Sequence, residues 1–75
     1  MLKLNEINAG QKVVIKEIKG NSRFLSRITS IGLTLGSEIV MLYNEKKVPL
    51  LFFSRDTVIA LNQQESMDIM VEALA

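Results

Sequence analysis

Phe24, Leu25, Ile28 and Ile31 recur at spacings of three and four, the period of one helix face, and so predict a helix from about Ser22 to Ile31. Asn21 or Ser22 supplies a side chain able to cap the exposed amides of its first turn. Gly32 ends it, because the backbone just past a helix favours positive φ, where glycine alone meets no steric penalty, and Leu33 then folds back onto the apolar stripe. Gly36 marks a second reversal. From Glu38 to Tyr43 the chain is apolar and rich in β-branched residues without a helical period, which reads as a strand.

Before the helix, Leu4 and Ile7 flank the polar Asn5-Glu6, a one-turn pattern that packs a leading segment against the core ahead of the Asn8-Ala9-Gly10 turn. Gln11 to Ile18 reads as a strand of ambiguous orientation, with Val13 and Ile15 on one face and Val14, Lys16 and Ile18 on the other. After the helix a hairpin is predicted. With Asn44-Glu45-Lys46-Lys47 as its loop, Met41 faces Leu50 and Ile39 faces Phe52 on one side. On the opposite side Val40 faces Leu51, Leu42 lies across from Pro49, and Phe53 stands beside Glu38. Pro49 lacks an N–H, which places its strand at an edge or turns its nitrogen outward.

Ser54 to Thr57 forms another turn and Val58 to Leu61 a short strand. Asn62-Gln63-Gln64-Glu65 has the form of a capping box opening a brief helix; Ile69 to Val71 reads as a last strand and Glu72 to Ala75 as a frayed end. Five short strands with one helix inserted after the first predict a mainly β fold, a small, partly open barrel whose helix plugs an end.

Seventy-five residues make one small domain, 1–75, which buries only about 60% of the surface its unfolded chain exposes. The chain has no cysteine and no histidine, so it lacks thiolate and imidazole metal ligands and the commonest general base. No cofactor is expected. A net charge of +1 gives little field for nucleic acid, and Lys46-Lys47 with two arginines make no basic stripe. The apolar runs Ile39–Tyr43 and Val48–Phe53 fall far below the ~20 residues that span a bilayer, and no signal-peptide pattern opens the chain. The reading is a cytoplasmic protein that does not insert in a membrane.

No phosphate-cradling glycine loop with a lysine and no Ser-His-Asp set is present, so no enzyme activity is expected. Glu6, Glu17, Glu38, Glu45, Asp56, Glu65, Asp68 and Glu72 are scattered singly, and only Glu65 and Asp68 are helical neighbours by spacing, which is too little for a hard-cation site. Arg23 and Arg27 lie one turn apart beside the apolar stripe, either as a solvated face or as a docking site for an acidic surface. The sharper signal is the hairpin's second apolar face. A barrel strand alternates inward apolar with outward polar residues, yet Val40, Leu42, Leu51 and Phe53 all point out if Ile39, Met41, Leu50 and Phe52 point in. Either the chain's own ends cover that face, through Leu2, Leu4 or the tail near Leu74, or another molecule does.

The order Leu4-Asn5-Glu6-Ile7-Asn8-Ala9-Gly10, then Arg27-Ile28-Thr29-Ser30-Ile31-Gly32-Leu33-Thr34-Leu35-Gly36, then Pro49, Ala60-Leu61, Glu65, Ile69 and Val71, resembles the ferrous-iron transport protein A (FeoA) family nearly end to end. The resemblance implies an SH3-like β-barrel that acts as a cytosolic accessory to FeoB, the membrane ferrous-iron transporter with a cytosolic GTPase domain. A similar barrel ends some iron-dependent repressors, which implies a regulatory or self-associating module as the alternative. The chain departs from the family pattern at Ala9 and Leu35, where proline is common, at Glu45-Lys46-Lys47, where a glycine is usual, at Asn62, often arginine, and at Ser66, often alanine. The lost prolines loosen two turns by roughly 0.4 to 1 kcal/mol each through the entropy of the unfolded chain.

Overall fold

The structure, a computed structural model, describes residues 1–74. Six strands form one antiparallel sheet: β1 (Leu2–Lys3), β2 (Lys12–Ile18), β3 (Glu38–Tyr43), β4 (Leu50–Ser54), β5 (Thr57–Leu61) and β6 (Ile69–Ala73). They lie in the order β1-β6-β2-β3-β4-β5, and β1 does not pair with β5, so the curled sheet stays open. A 3₁₀ turn (Leu4–Glu6), α1 (Ser22–Ser30) and α2 (Gln63–Ser66) complete the chain.

The inner face of this sheet encloses the core. Ile39, Met41, Leu50 and Phe52 of the β3–β4 hairpin are fully buried with Val13, Ile15, Ile69 and Val71. Leu4 and Ile7 close one side of the core, as their spacing predicts. The ambiguity of β2 is thereby resolved: Val13 and Ile15 point inward, and Val14 lies half-buried on the outside between its cross-strand neighbours Glu38 and Glu72.

Helix α1 starts and stops where the sequence says. The Asn21 side chain accepts the Phe24 N–H at 2.8 Å. At the other end Gly32, at φ +95, donates to Thr29 O at 3.0 Å, while Leu33 N donates to Ile28 O at 3.1 Å. These two bonds form a Schellman motif, and its hydrophobic partners Ile28 and Leu33 are both fully buried. The helix rests on a narrower stripe than its spacing predicts. Ile28 enters the core and Phe24 packs against it, whereas Leu25 and Ile31 remain exposed, because nine residues give room for little more than one inward side chain per turn.

The hairpin departs from expectation in register. A four-residue loop would pair Met41 with Leu50, but Met41 pairs with Phe52 and Val40 with Phe53, a shift of two residues, with a bulge between Met41 and Tyr43. The connection runs over six residues, Asn44–Pro49, and so leaves Pro49 outside the sheet. A shift of two keeps side-chain parity, and both faces therefore hold the residues assigned to them. The chain's end differs also: β6 continues to Ala73, and Leu74 N donates to Lys12 O at 3.1 Å, so the expected fraying does not begin at Glu72. Ala75 lies outside the described residues.

Candidate docking surface

The outer face of β3, β4 and β5 is apolar and open. Leu42 is 46% exposed, Leu51 and Phe53 38%, and Val40 is half-buried among them. Cross-strand pairing sets Val40 beside Phe53 and Phe53 beside Val58, and Leu51 between Tyr43 and Ala60, so the four residues singled out from the sequence are brought together on one continuous patch. Tyr43 and Val58, the latter 57% exposed, extend it. Sequence reasoning missed Val58 although its signal was present: in the alternation of β5, Ile59 and Leu61 are buried and Val58 and Ala60 face out.

Among the described residues the chain's ends cover little of this face. Leu4 is in the core, and Leu2 pairs with Val71 in the β1–β6 region at the other side of the sheet. Leu74 stands beside this face: with Lys12, Glu38, Val40, Phe53 and Arg55 it lines a shallow hollow of ≈ 250 Å³. Exposed apolar surface of this continuity is uncommon where nothing docks.

The two arginines of α1 have different surroundings. Arg27 pairs with the Glu65 carboxylate and stacks over the Phe24 ring at 5.6 Å, which ties α1 to α2. Glu65 holds a second post: its other oxygen accepts from Asn62 N at 3.4 Å while Asn62 Oδ1 accepts from Glu65 N at 2.7 Å, the capping box read from the sequence. Arg23 is exposed and makes no ion pair among the described residues. Of the two, Arg23 has the charge more available to a partner.

A polar hub unanticipated by the sequence fixes the hairpin loop. Asn44 Nδ2 donates to Asn5 O at 2.9 Å and Ile7 O at 2.7 Å, and Gln63 Nε2 approaches Asn44 Oδ1, Glu45 O and Val48 O at 2.8 to 3.0 Å. Contacts 15 to 39 residues apart in sequence leave no local signature. They hold the six-residue loop in shape, with Lys47 at φ +69, in the segment where the related pattern carries glycine.

Among the described residues no three carboxylates converge on a point that would hold a metal ion. No helix among the described residues is long and apolar enough to cross a membrane.

An open antiparallel sheet of this order, with a capped helix after its second strand and an exposed apolar outer face, defines a small SH3-like β-barrel domain. The FeoA domain matches residues 2–73, and the chain belongs to that family. "Putative Fe(2+) transport protein A" of Methanocaldococcus jannaschii is 29% identical over 63 residues, covering 84% of this chain and 76% of that protein. The crystal structure of an iron uptake regulatory protein, FeoA, superposes with a TM-score of 0.92 at 25% identity, covering 97% of both chains. A manganese-dependent transcriptional repressor superposes with a TM-score of 0.90, but at 19% identity and over only 41% of its length, a likeness of fold alone.

Proposed function

We propose that this chain is a non-enzymatic, cytosolic accessory protein of bacterial ferrous-iron transport that docks on the cytosolic part of an FeoB-type transporter and modulates it. The observation that carries the reading is the family match over nearly the whole chain. The relative of 29% identity, whose printed name specifies Fe(2+) transport, points the same way. The docking surface is the outer face of Val40, Leu42, Leu51 and Phe53, whose exposure fits a protein contact, with Arg23 on α1 as a separate exposed charge and Arg27 as the strut that positions α1.

The test is binding of the purified chain to the purified cytosolic domain of an FeoB-type transporter from the same organism. Saturable binding, weakened at least about tenfold by Leu51→Lys with Phe53→Lys, supports the reading, since a charge at an interface centre is costly. Absence of binding overturns it. The second reading, a regulatory or self-associating module as at the end of metal-dependent repressors, is favoured by the fold likeness to the repressor. It predicts that no transporter domain binds and that ferrous-iron uptake is unchanged when the gene is deleted.

A further inference from the structure

The two edges of the sheet are guarded differently. β1 is two residues long and carries Lys3, the brevity and charge that keep an edge from pairing further. β5, at the opposite edge, runs Thr57–Leu61 without a charge, a proline or a bulge and pairs only with β4. Its register is set by the two-residue turn Arg55-Asp56, both at positive φ, which closes on the Ser54–Thr57 pair. Bonded and non-bonded pairs alternate along an antiparallel ladder, so Thr57, Ile59 and Leu61 exchange bonds with β4. A bond at the other side of the sheet gives the same phase: Met41 N donates to Gln11 O and so faces β2, which turns Val40 to β4, Phe53 to β3 and Ile59 to β4. The N–H and C=O groups of Val58 and Ala60 therefore point away from the sheet, without a hydrogen-bond partner among the described residues. Both residues are exposed.

We propose that this edge receives an extended, uncharged apolar segment of the docked partner, added antiparallel to β5 as a seventh strand. Two donors and two acceptors, repeating every second residue, match the main chain of a strand and of no other element. What that strand carries follows from the rows beside it. On the outer face Val40, Phe53 and Val58 form one row and Tyr43, Leu51 and Ala60 the next, so the residues opposite Val58 and Ala60 continue the exposed patch. The second row steps down from Tyr43 and Leu51 to the small Ala60, which leaves room for a large apolar or aromatic side chain opposite it.

The residue between those two lies on the inner face, opposite Ile59. Ile59 and Leu61 are the least buried members of the core, 7% and 4% exposed against 1% or less for the rest, so the core is thinnest along this edge and an apolar side chain there completes its cover. A charge at any of the three positions would be buried against apolar groups. Edge and outer face share Val58 and so form one continuous surface, which assigns the strand to the molecule that docks there. The inference rests on the docking reading and states how the partner is held.

The probe is the purified cytosolic domain of an FeoB-type transporter from the same organism, with binding measured by calorimetry. Val58→Pro removes an outward N–H that the bonds to β4 do not use, and should weaken binding at least about tenfold. Val58→Thr keeps that N–H and the branched shape, and should bind within about threefold of the unsubstituted chain. Amide hydrogen exchange reads the same bonds without a substitution and decides the matter if circular dichroism shows the proline variant unfolded. In the free chain Val58 and Ala60 should exchange fast beside protected Ile59 and Leu61, and in the complex both should slow at least about tenfold. A folded Val58→Pro variant that binds normally, or amides that stay fast in the complex, overturns the inference and leaves the docking reading standing. So does a threonine variant as weak as the proline one, which would assign the loss to the side chain. Protection of both amides that grows with the concentration of the free chain gives the edge to a second copy and overturns the inference as well. Absence of all binding overturns the docking reading and this inference with it.

Discussion

The two faces of the β3–β4 hairpin are made of the same kinds of residue and meet opposite fates. Ile39, Met41, Leu50 and Phe52 are fully buried, whereas Val40, Leu42, Leu51 and Phe53, their immediate neighbours in sequence, stand half-buried or exposed. The inner four are covered from every side by elements of the same chain, by Leu4 and Ile7 at the N-terminal turn, Ile28 and Leu33 at the helix end and Ile69 and Val71 of β6. The outer four have no such cover. Equal hydrophobicity is thus divided between burial and exposure by what the chain can fold over it, and a domain of this size has elements enough to cover one face of its sheet only.

The largest break in that contrast is expected from adjacent phenylalanines. Phe52→Ala should cost about 3 to 5 kcal/mol through lost burial and the cavity left behind, while Phe53→Ala, at a position 38% exposed, should cost under about 1 kcal/mol. Chemical denaturation of both variants checks this, and equal losses would show that the outer face is covered.

Removing part of the inner cover should cost less. Gly32→Val places a β-branched residue at φ +95 and should destabilise the chain by about 1 to 3 kcal/mol, because Leu33 reaches the core only through that turn. An added Cβ there meets nothing within 4 Å, so the loss reflects backbone strain rather than a clash at Cβ, and an unchanged melting curve would rule out the turn as the device that seats Leu33.

Gln63→Ala should cost about 1 to 2 kcal/mol, since its amide holds the loop that fixes the hairpin register. Hydrogen exchange should show the losses first at Glu45 to Val48, and uniform exchange across the hairpin would place the register's cause elsewhere.

Leu51→Lys with Phe53→Lys should change stability by no more than about 1 kcal/mol while weakening docking at least about tenfold. Unfolding of that variant would assign both side chains to the core. The smallest effect expected is on ferrous iron itself: the purified chain should bind it no more tightly than isolated carboxylates do, for want of imidazole or thiolate ligands. Stoichiometric micromolar binding in anaerobic calorimetry would contradict this.

What was legible in the sequence was whatever depends on near neighbours. The helix end at Gly32-Leu33, the cap, which falls to Asn21 of the two candidates Asn21 and Ser22, and the capping box at Asn62 and Glu65 each close within three to five residues of sequence. The two hairpin faces were legible for the same reason, because side-chain parity survives the two-residue shift in register. So was the family, since its helix-glycine-strand run is contiguous. Tertiary structure alone decided the rest. The six-residue loop and its bulge are set by Asn44 and Gln63 reaching backbone carbonyls far along the chain, and the partition of the arginines by Glu65 arriving from α2 to meet Arg27. Which apolar face would be buried followed from the curling of the sheet, because burial is a property of what lies opposite a residue in space, and composition and period record only what lies beside it in sequence.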